Sequence, residues 1–243
     1  MKRLIISLLL LFLFGCEQID HVLVPGIPSE KPQKSQEEFK VEKVEPIGEL
    51  VKERSGIVHV KFDGGMSYSI GTGFFVVYKN NKYLLTAGHN VIGAGRVFVF
   101  RDSGSIEVNI LKHKISREDD LAAFIVETKE NCFELEDPKI FDGIPDFGKL
   151  YKPNNYKVVK VNMFGYPAEW NFRKISGEIY QTIFDGKYLV CTGKCDSGMS
   201  GGPWFNKETG KVVAVHSTQI SGKSGGISVK AIISLLDKME NGK

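Results

Sequence analysis

From Ile57 onward the chain alternates short apolar runs with small, polar breaks. The runs at residues 57–62, 70–77, 83–86, 97–100, 106–111 and 121–126 are rich in β-branched and aromatic side chains. A second set follows at 156–165, 175–184, 188–191, 203–205, 211–217 and 225–229. Runs of this length, bounded by Gly, Asn, Asp and Ser, suit strands rather than helices. Asn80-Asn81 and Asp185-Gly186 mark hairpin turns. The stretch 127–155, rich in Pro, Gly and Asp, reads as the connection between the two sets. The pattern predicts an all-β fold of two six-stranded antiparallel barrels, about 47–130 and 150–230. One helix is predicted after them. Val229, Ile232, Ile233, Leu235 and Leu236 fall on one helical face, with Ser228 placed as N-cap.

The N-terminus follows a different rule. Lys2 and Arg3 precede an apolar run, 4–14, interrupted only by Ser7. That run is too short to span a bilayer, which takes about 20 residues, so it reads as an export signal. Leu13-Phe14-Gly15-Cys16 then resembles a bacterial lipobox. The resemblance implies a lipoprotein signal peptide over 1–15, with cleavage before Cys16 and lipid on its thiol. Glu17 after the cysteine resembles the sorting pattern of outer-membrane lipoproteins, if the source is Gram-negative. Residues 16–46 carry many Pro, Lys, Glu, Gln and Ser and few apolar groups, the composition of a disordered tether. The folded domain is expected at 47–243, anchored by lipid at the bacterial cell envelope.

Composition narrows the chemistry. Hydrophobic residues make 42% and charged ones 25%, ordinary for a globular domain. A formal charge of +3 gives no electrostatic footprint for nucleic acid, and none is expected as a partner. Three cysteines follow Cys16: Cys132, Cys191 and Cys195. The odd number leaves at least one thiol unpaired, while Cys191 and Cys195 are close enough in sequence to pair or to stay free. No second cysteine pair and no nearby histidine suggest a zinc site. No metal and no cofactor are expected.

The chemistry-bearing stretch is Gly198-Met199-Ser200-Gly201-Gly202-Pro203. A serine hydroxyl is a weak nucleophile and needs a base and oxyanion donors. A candidate base is His89, in Thr86-Ala87-Gly88-His89; a candidate acid lies in Asp119-Asp120-Leu121-Ala122. These residues, with Gly71-Thr72-Gly73-Phe74, Gly165-Tyr166-Pro167 and Ala214-Val215-His216-Ser217, resemble the chymotrypsin-fold serine proteases in both content and order. Within that family the pattern is most similar to the bacterial glutamyl-endopeptidase and trypsin-like branch, over about 50–230.

The resemblance implies that His89 is the general base and Ser200 the nucleophile. Asp120, directly before the apolar strand, orients the imidazole, and Asp119 is left as a solvated loop charge. The oxyanion hole is implied to be the N–H groups of Gly198 and Ser200. Met199 replaces the aspartate that pairs with a new N-terminus in digestive zymogens, so that activation route is not expected. His216, Cys195 and Ser217 stand where glutamate-selecting relatives line the S1 pocket, which implies a Glu or Gln preference at P1. Lys194 nearby could add attraction for acidic substrates. The expected function is a lipid-anchored serine endopeptidase acting on protein or peptide substrates. The alternative is a catalytically silent protease-fold module that binds partners at the membrane. A quality-control protease of the HtrA group is a third reading, against which stands the expected lack of a second, peptide-end-binding domain.

Overall fold

The computed structural model describes residues 57–63, 68–92, 96–101, 104–106, 108–147, 157–167, 172–220 and 222–242. The expected signal peptide, Cys16 and the tether lie outside the described residues. Strands β1 (Ile57–Asp63), β2 (Tyr68–Tyr78), β3 (Asn81–Ala87), β4 (Arg96–Arg101), β5 (Gly104–Ser105), β6 (Asn109–Ser116), β7 (Leu121–Glu127) and β8 (Phe133–Glu134) form the first half. Strands β9 (Val159–Gly165), β10 (Arg173–Ile183), β11 (Tyr188–Cys191), β12 (Pro203–Asn206), β13 (Val212–Ile220) and β14 (Lys223–Ser228) form the second. Helix α1 (Val229–Glu240) follows.

The second half is a closed barrel in the order β10-β11-β14-β13-β12-β9. The first half runs β5-β4-β1-β2-β3-β7-β6, with β8 added in parallel to β2. Among the described residues its two edges do not pair, and it stands as a sheet beside the closed barrel, within the mostly β arrangement with one C-terminal helix that the pattern predicts. The connection between the two sets carries β8 and a 3-10 turn, Pro138–Phe141, capped by the Asp137 carboxylate. The first hairpin turns at Lys79-Asn80, one residue earlier than the Asn80-Asn81 signal, with Lys79 at φ 51. At the other hairpin Phe184, Asp185 and Gly186 take positive φ in succession, as a tight strand reversal requires.

Alternation along the strands builds three apolar clusters. One is private to the first sheet and includes Val58, Phe75, Leu84, Ala122 and Phe124. One fills the second barrel with Val161, Met163, Ile179, Leu189 and Trp204. The third joins the halves: Phe74, Leu85 and Leu121 meet Phe164, Phe205, Val215 and Ile227, covered by Ile232, Leu235 and Leu236 of α1. Ser228 caps α1 as predicted, its hydroxyl accepting from the Ala231 N–H.

The far end of α1 is tied to the first sheet by polar groups. Tyr78 Oη and Lys79 Nζ donate to Asp237 at 2.9 and 2.6 Å. Asn81 Nδ2 donates to Glu240 at 2.8 Å, and Tyr83 Oη donates to the same carboxylate. Burial and the Glu240 carboxylate push the Tyr83 phenol well up from its ordinary range. One helix thus packs on the barrel from which it emerges and is bonded to the sheet opposite. Leu236 is fully buried in the joint cluster. Leu236→Ala should therefore cost about 2–5 kcal/mol, read as a lower urea midpoint with a single cooperative transition for both halves.

Candidate active site

Strands β3 and β7 pair antiparallel, with Ala87 opposite Leu121. This pairing alone sets the residues after Ala87 beside those before Leu121. The 3-10 turn Gly88–Asn90 carries His89, and Asp120 ends the loop from β6. The Gly88 N–H donates to the Asp120 C=O at 2.7 Å. Asp120 sits at φ 51, a left-handed conformation that costs about 1–2 kcal/mol for an L-residue but suits Asp better than most.

That conformation turns the Asp120 carboxylate onto His89. Oδ1 accepts from the His89 backbone N–H at 2.7 Å, and Oδ2 lies 2.8 Å from His89 Nδ1. A carboxylate only accepts, so Nδ1 carries the proton, and in the neutral ring Nε2 keeps its lone pair. The Ser217 hydroxyl donates to the same Oδ2. Sequence reasoning placed Ser217 in the S1 wall and did not foresee this bond. Its C=O in turn accepts from Ser200 Oγ at 3.2 Å. Ser217 therefore touches both the acid and the candidate nucleophile.

Asp119 is not the solvated charge expected from the sequence. It is buried, accepts from the Ser116 hydroxyl at 2.8 Å and from Lys187 Nζ at 3.3 Å. Lys187 belongs to the second half, as does Tyr188, whose hydroxyl donates to the Glu118 C=O at 2.7 Å. The loop bearing Asp120 is pinned from across the interface.

Ser200 lies in the loop from β11 to β12. Gly198 and Gly201 take φ of 91 and 89. At Gly201 a Cβ would stand 2.0 Å from the Thr72 C=O, so no other residue fits this approach. The Gly201 N–H donates to the His216 C=O at 2.7 Å, and the Gly202 N–H to the Met199 C=O at 2.9 Å. Met199 is fully buried and packs in the barrel core. Among the described residues no hydrogen bond takes up the N–H of Gly198 or Ser200.

Three polar residues of the first half hold this loop, and sequence reasoning missed all three. The Thr72 N–H donates to the Ser200 C=O at 2.8 Å, and Thr72 Oγ1 donates to the Gly198 C=O at 3.0 Å. Thr86 Oγ1 donates to the Thr72 C=O at 2.8 Å. Asn90 Nδ2 donates to the Ser200 C=O at 3.0 Å and to Thr86 Oγ1 at 3.2 Å. The signal available in the sequence was polar residues inside otherwise apolar strand ends, namely Thr72, Thr86 and Asn90.

The residues expected in S1 divide. His216 is 4% exposed and stacks on Trp204, with ring centroids 6.1 Å apart. Its Nδ1 has no hydrogen-bond partner among the described residues. Burial, and secondarily the nearby His89, lower its pKa to about 4. Cys195 is placed differently from the expectation: its Sγ lies 3.6 Å from Met163 Sδ, inside the barrel core. Burial pushes its thiol up to about 12 and that of Cys191 up to about 11. Both thiols are free, which resolves the pairing left open above. Lys194 is exposed.

Two grooves of about 440 and 530 Å³ lie along α1, where Pro138 and Ile233 line both. Neither is lined by His89, Asp120 or Ser200. The ionisable cluster lies at the surface instead, with His89 exposed and Asp120 and Ser200 half-buried.

A profile described as a trypsin-like peptidase domain matches residues 71–215. No curated protein sequence matches the chain significantly. Among solved structures, the active form of the Rv3671c protease from M. tuberculosis is similar with a TM-score of 0.57 and 16% identity, covering 78% of this chain and 82% of that one. A serine endoprotease from Yersinia pestis is similar at 0.60 and 18%, covering 82% and 69%. The HtrA-type protease AlgW with tripeptide is similar at 0.59 and 17%, covering 78% and 62%. At these identities the likeness is one of fold.

The His216 environment has a consequence for stability. Above about pH 6.5 the ring is neutral in both folded and unfolded chains. As pH falls below 6.5 the unfolded chain takes up a proton that the folded one resists until about pH 4. Stability should therefore drop by about 3 kcal/mol across that window. Urea midpoints measured from pH 7 to 4 should show a shallower decline in His216→Gln than in the parent.

Proposed function

We propose, from the premise that this chain belongs to the trypsin-like peptidase domain family, that it is a serine endopeptidase using His89, Asp120 and Ser200. The observation that carries this reading is the continuous contact from His89 through Asp120 and Ser217 to Ser200. Rotation of the Ser200 hydroxyl from the Ser217 C=O toward His89 Nε2 would bring the proton to its base. Asp120 would hold the tautomer and stabilise the imidazolium that forms. The unbonded N–H groups of Gly198 and Ser200 would receive the oxyanion. His89 would then return the proton to the leaving amine, and water would release the acyl group. The hydroxyl of Ser217 makes it a fourth member of the constellation, bonded to the acid.

For P1 we propose Glu ahead of Gln, and both ahead of Lys, Arg or Phe. The support is His216 beside the Ser200 loop, with a ring nitrogen that has no partner. A substrate side chain entering a desolvated site needs such a group, since burial of an unpaired charge is costly. Cys195 gives no support, because its thiol faces the core. For location we propose lipid attachment at Cys16, on the sequence pattern alone.

A fluorogenic peptide panel varied at P1 tests the first two proposals together. Ser200→Ala and His89→Ala should each abolish cleavage, and the double variant should be little worse than either, because the residues act as a unit. His216→Val should leave labelling of Ser200 by a fluorophosphonate intact and lower kcat/KM for Glu peptides by about a hundredfold. Near-parental turnover in Ser200→Ala would remove the peptidase reading, and unchanged Glu selectivity in His216→Val would remove the P1 reading alone.

Stable anchoring takes two or more acyl chains, since one binds only marginally. Cys16→Ala should move the protein from the membrane to the soluble exported fraction. Retention of that variant at the membrane, or a mature N-terminus elsewhere, would count against lipidation.

A further inference from the structure

Asn90 stands one residue beyond the proposed base, in the same 3-10 turn. Its side chain is buried, and its amide donates to the Ser200 C=O. A carbonyl oxygen only accepts, so the amide nitrogen and not its oxygen faces Ser200. The Thr72 N–H supplies a second bond to that carbonyl. At the other end of the same peptide, the Gly201 N–H donates to the His216 C=O. The peptide that follows Ser200 is thus held at both ends. Gly71 leaves the room for this arrangement: a Cβ there would stand 2.2 Å from Asn90 Nδ2.

We propose that Asn90 is a positioning residue that sets the distance between base and nucleophile. This rests on reading His89 and Ser200 in those roles. The two come from different halves of the fold, and an apolar interface alone lets them slide. Thr72 ties the Ser200 loop to β2 but bonds nothing on the His89 turn. Asn90 closes that gap, because the residue bonded to the Ser200 peptide is covalently next to His89. A displacement of about 1 Å between reacting groups can cost about a hundredfold in rate. Loss of the Asn90 bond should therefore fall on kcat, while KM depends on groups elsewhere in the site.

The test compares the parent with Asn90→Ala, Gly71→Ala and the double variant in the full chain. Asn90→Ala should lower kcat roughly ten- to a hundredfold with KM within about twofold. Second-order labelling of Ser200 by a fluorophosphonate should fall in proportion. Gly71→Ala reaches the same bond from the other side by displacing the amide, and should show the same loss. In the double variant the vacated space accepts the new methyl group, so the loss should equal that of Asn90→Ala alone. Two independent defects would instead multiply.

Amide exchange of the segment 197–203, read by mass spectrometry well below the melting temperature, needs no turnover. It should quicken in both single variants. If the parent is not labelled by the reagent, the peptidase reading fails, while quickened exchange still supports the clamp. Unchanged exchange with unchanged labelling, a multiplicative double variant, or a kcat loss that only tracks the unfolded fraction would overturn the proposal.

Discussion

The hydrogen bonds of Thr72 are the constraint on which the rest of this structure turns. Its N–H, hydroxyl and C=O are all engaged, with Ser200, Gly198, Tyr166 and Thr86. Thr72 is fully buried, and each such group left unpaired would cost about 1–3 kcal/mol. Thr72 and Thr86 lie in the first sheet, while Tyr166 and the Ser200 loop belong to the second half. The apolar cluster between the halves provides most of the attraction, but dispersion and burial have no direction. The Thr72 bonds choose one relative placement among many that would bury similar area.

The division of labour between the halves follows from that lock. His89 and Asp120 need no long-range help to meet, because β3 and β7 pair directly and deliver both to one strand end. Ser200 arrives from the other half, and its loop geometry depends on glycine at 201, where only backbone can pass the Thr72 C=O. Asp119, Lys187 and Tyr188 stitch the acid's loop to the second barrel on the outer side. The site is therefore braced on both flanks.

Behind the site the second barrel is packed in a way that isolates His216. Trp204 covers one face of the ring, and the backbone on either side of it is bonded to Gly201 and Gly202. The ring cannot charge without burying an unpartnered N–H, which is why its pKa lies so low. Any group that supplies an acceptor there would reverse that penalty.

Much of this was legible from the sequence. Short apolar runs broken by Gly, Asn and Asp marked nearly every strand, because side-chain type and turn chemistry are local properties. The cap at Ser228 and the apolar face of α1 were readable for the same reason. The stretches that carry His89, Asp120 and Ser200 stood out as short motifs that record local backbone needs. What lay beyond the sequence was every contact between segments far apart in the chain. Thr72, Thr86 and Asn90 look like ordinary polar residues until the two halves meet. Asp119 reads as a loop charge until Lys187 arrives from the other side. Cys195 falls at a plausible wall position, but the direction of its Cβ is set by how the loop enters the barrel, and that sends the thiol to Met163. The first half reads as six strand runs, but the order in which they pair is something no local pattern encodes. Local chemistry chose the elements and their turns; only the packing of one half on the other decided which polar atoms would be buried together.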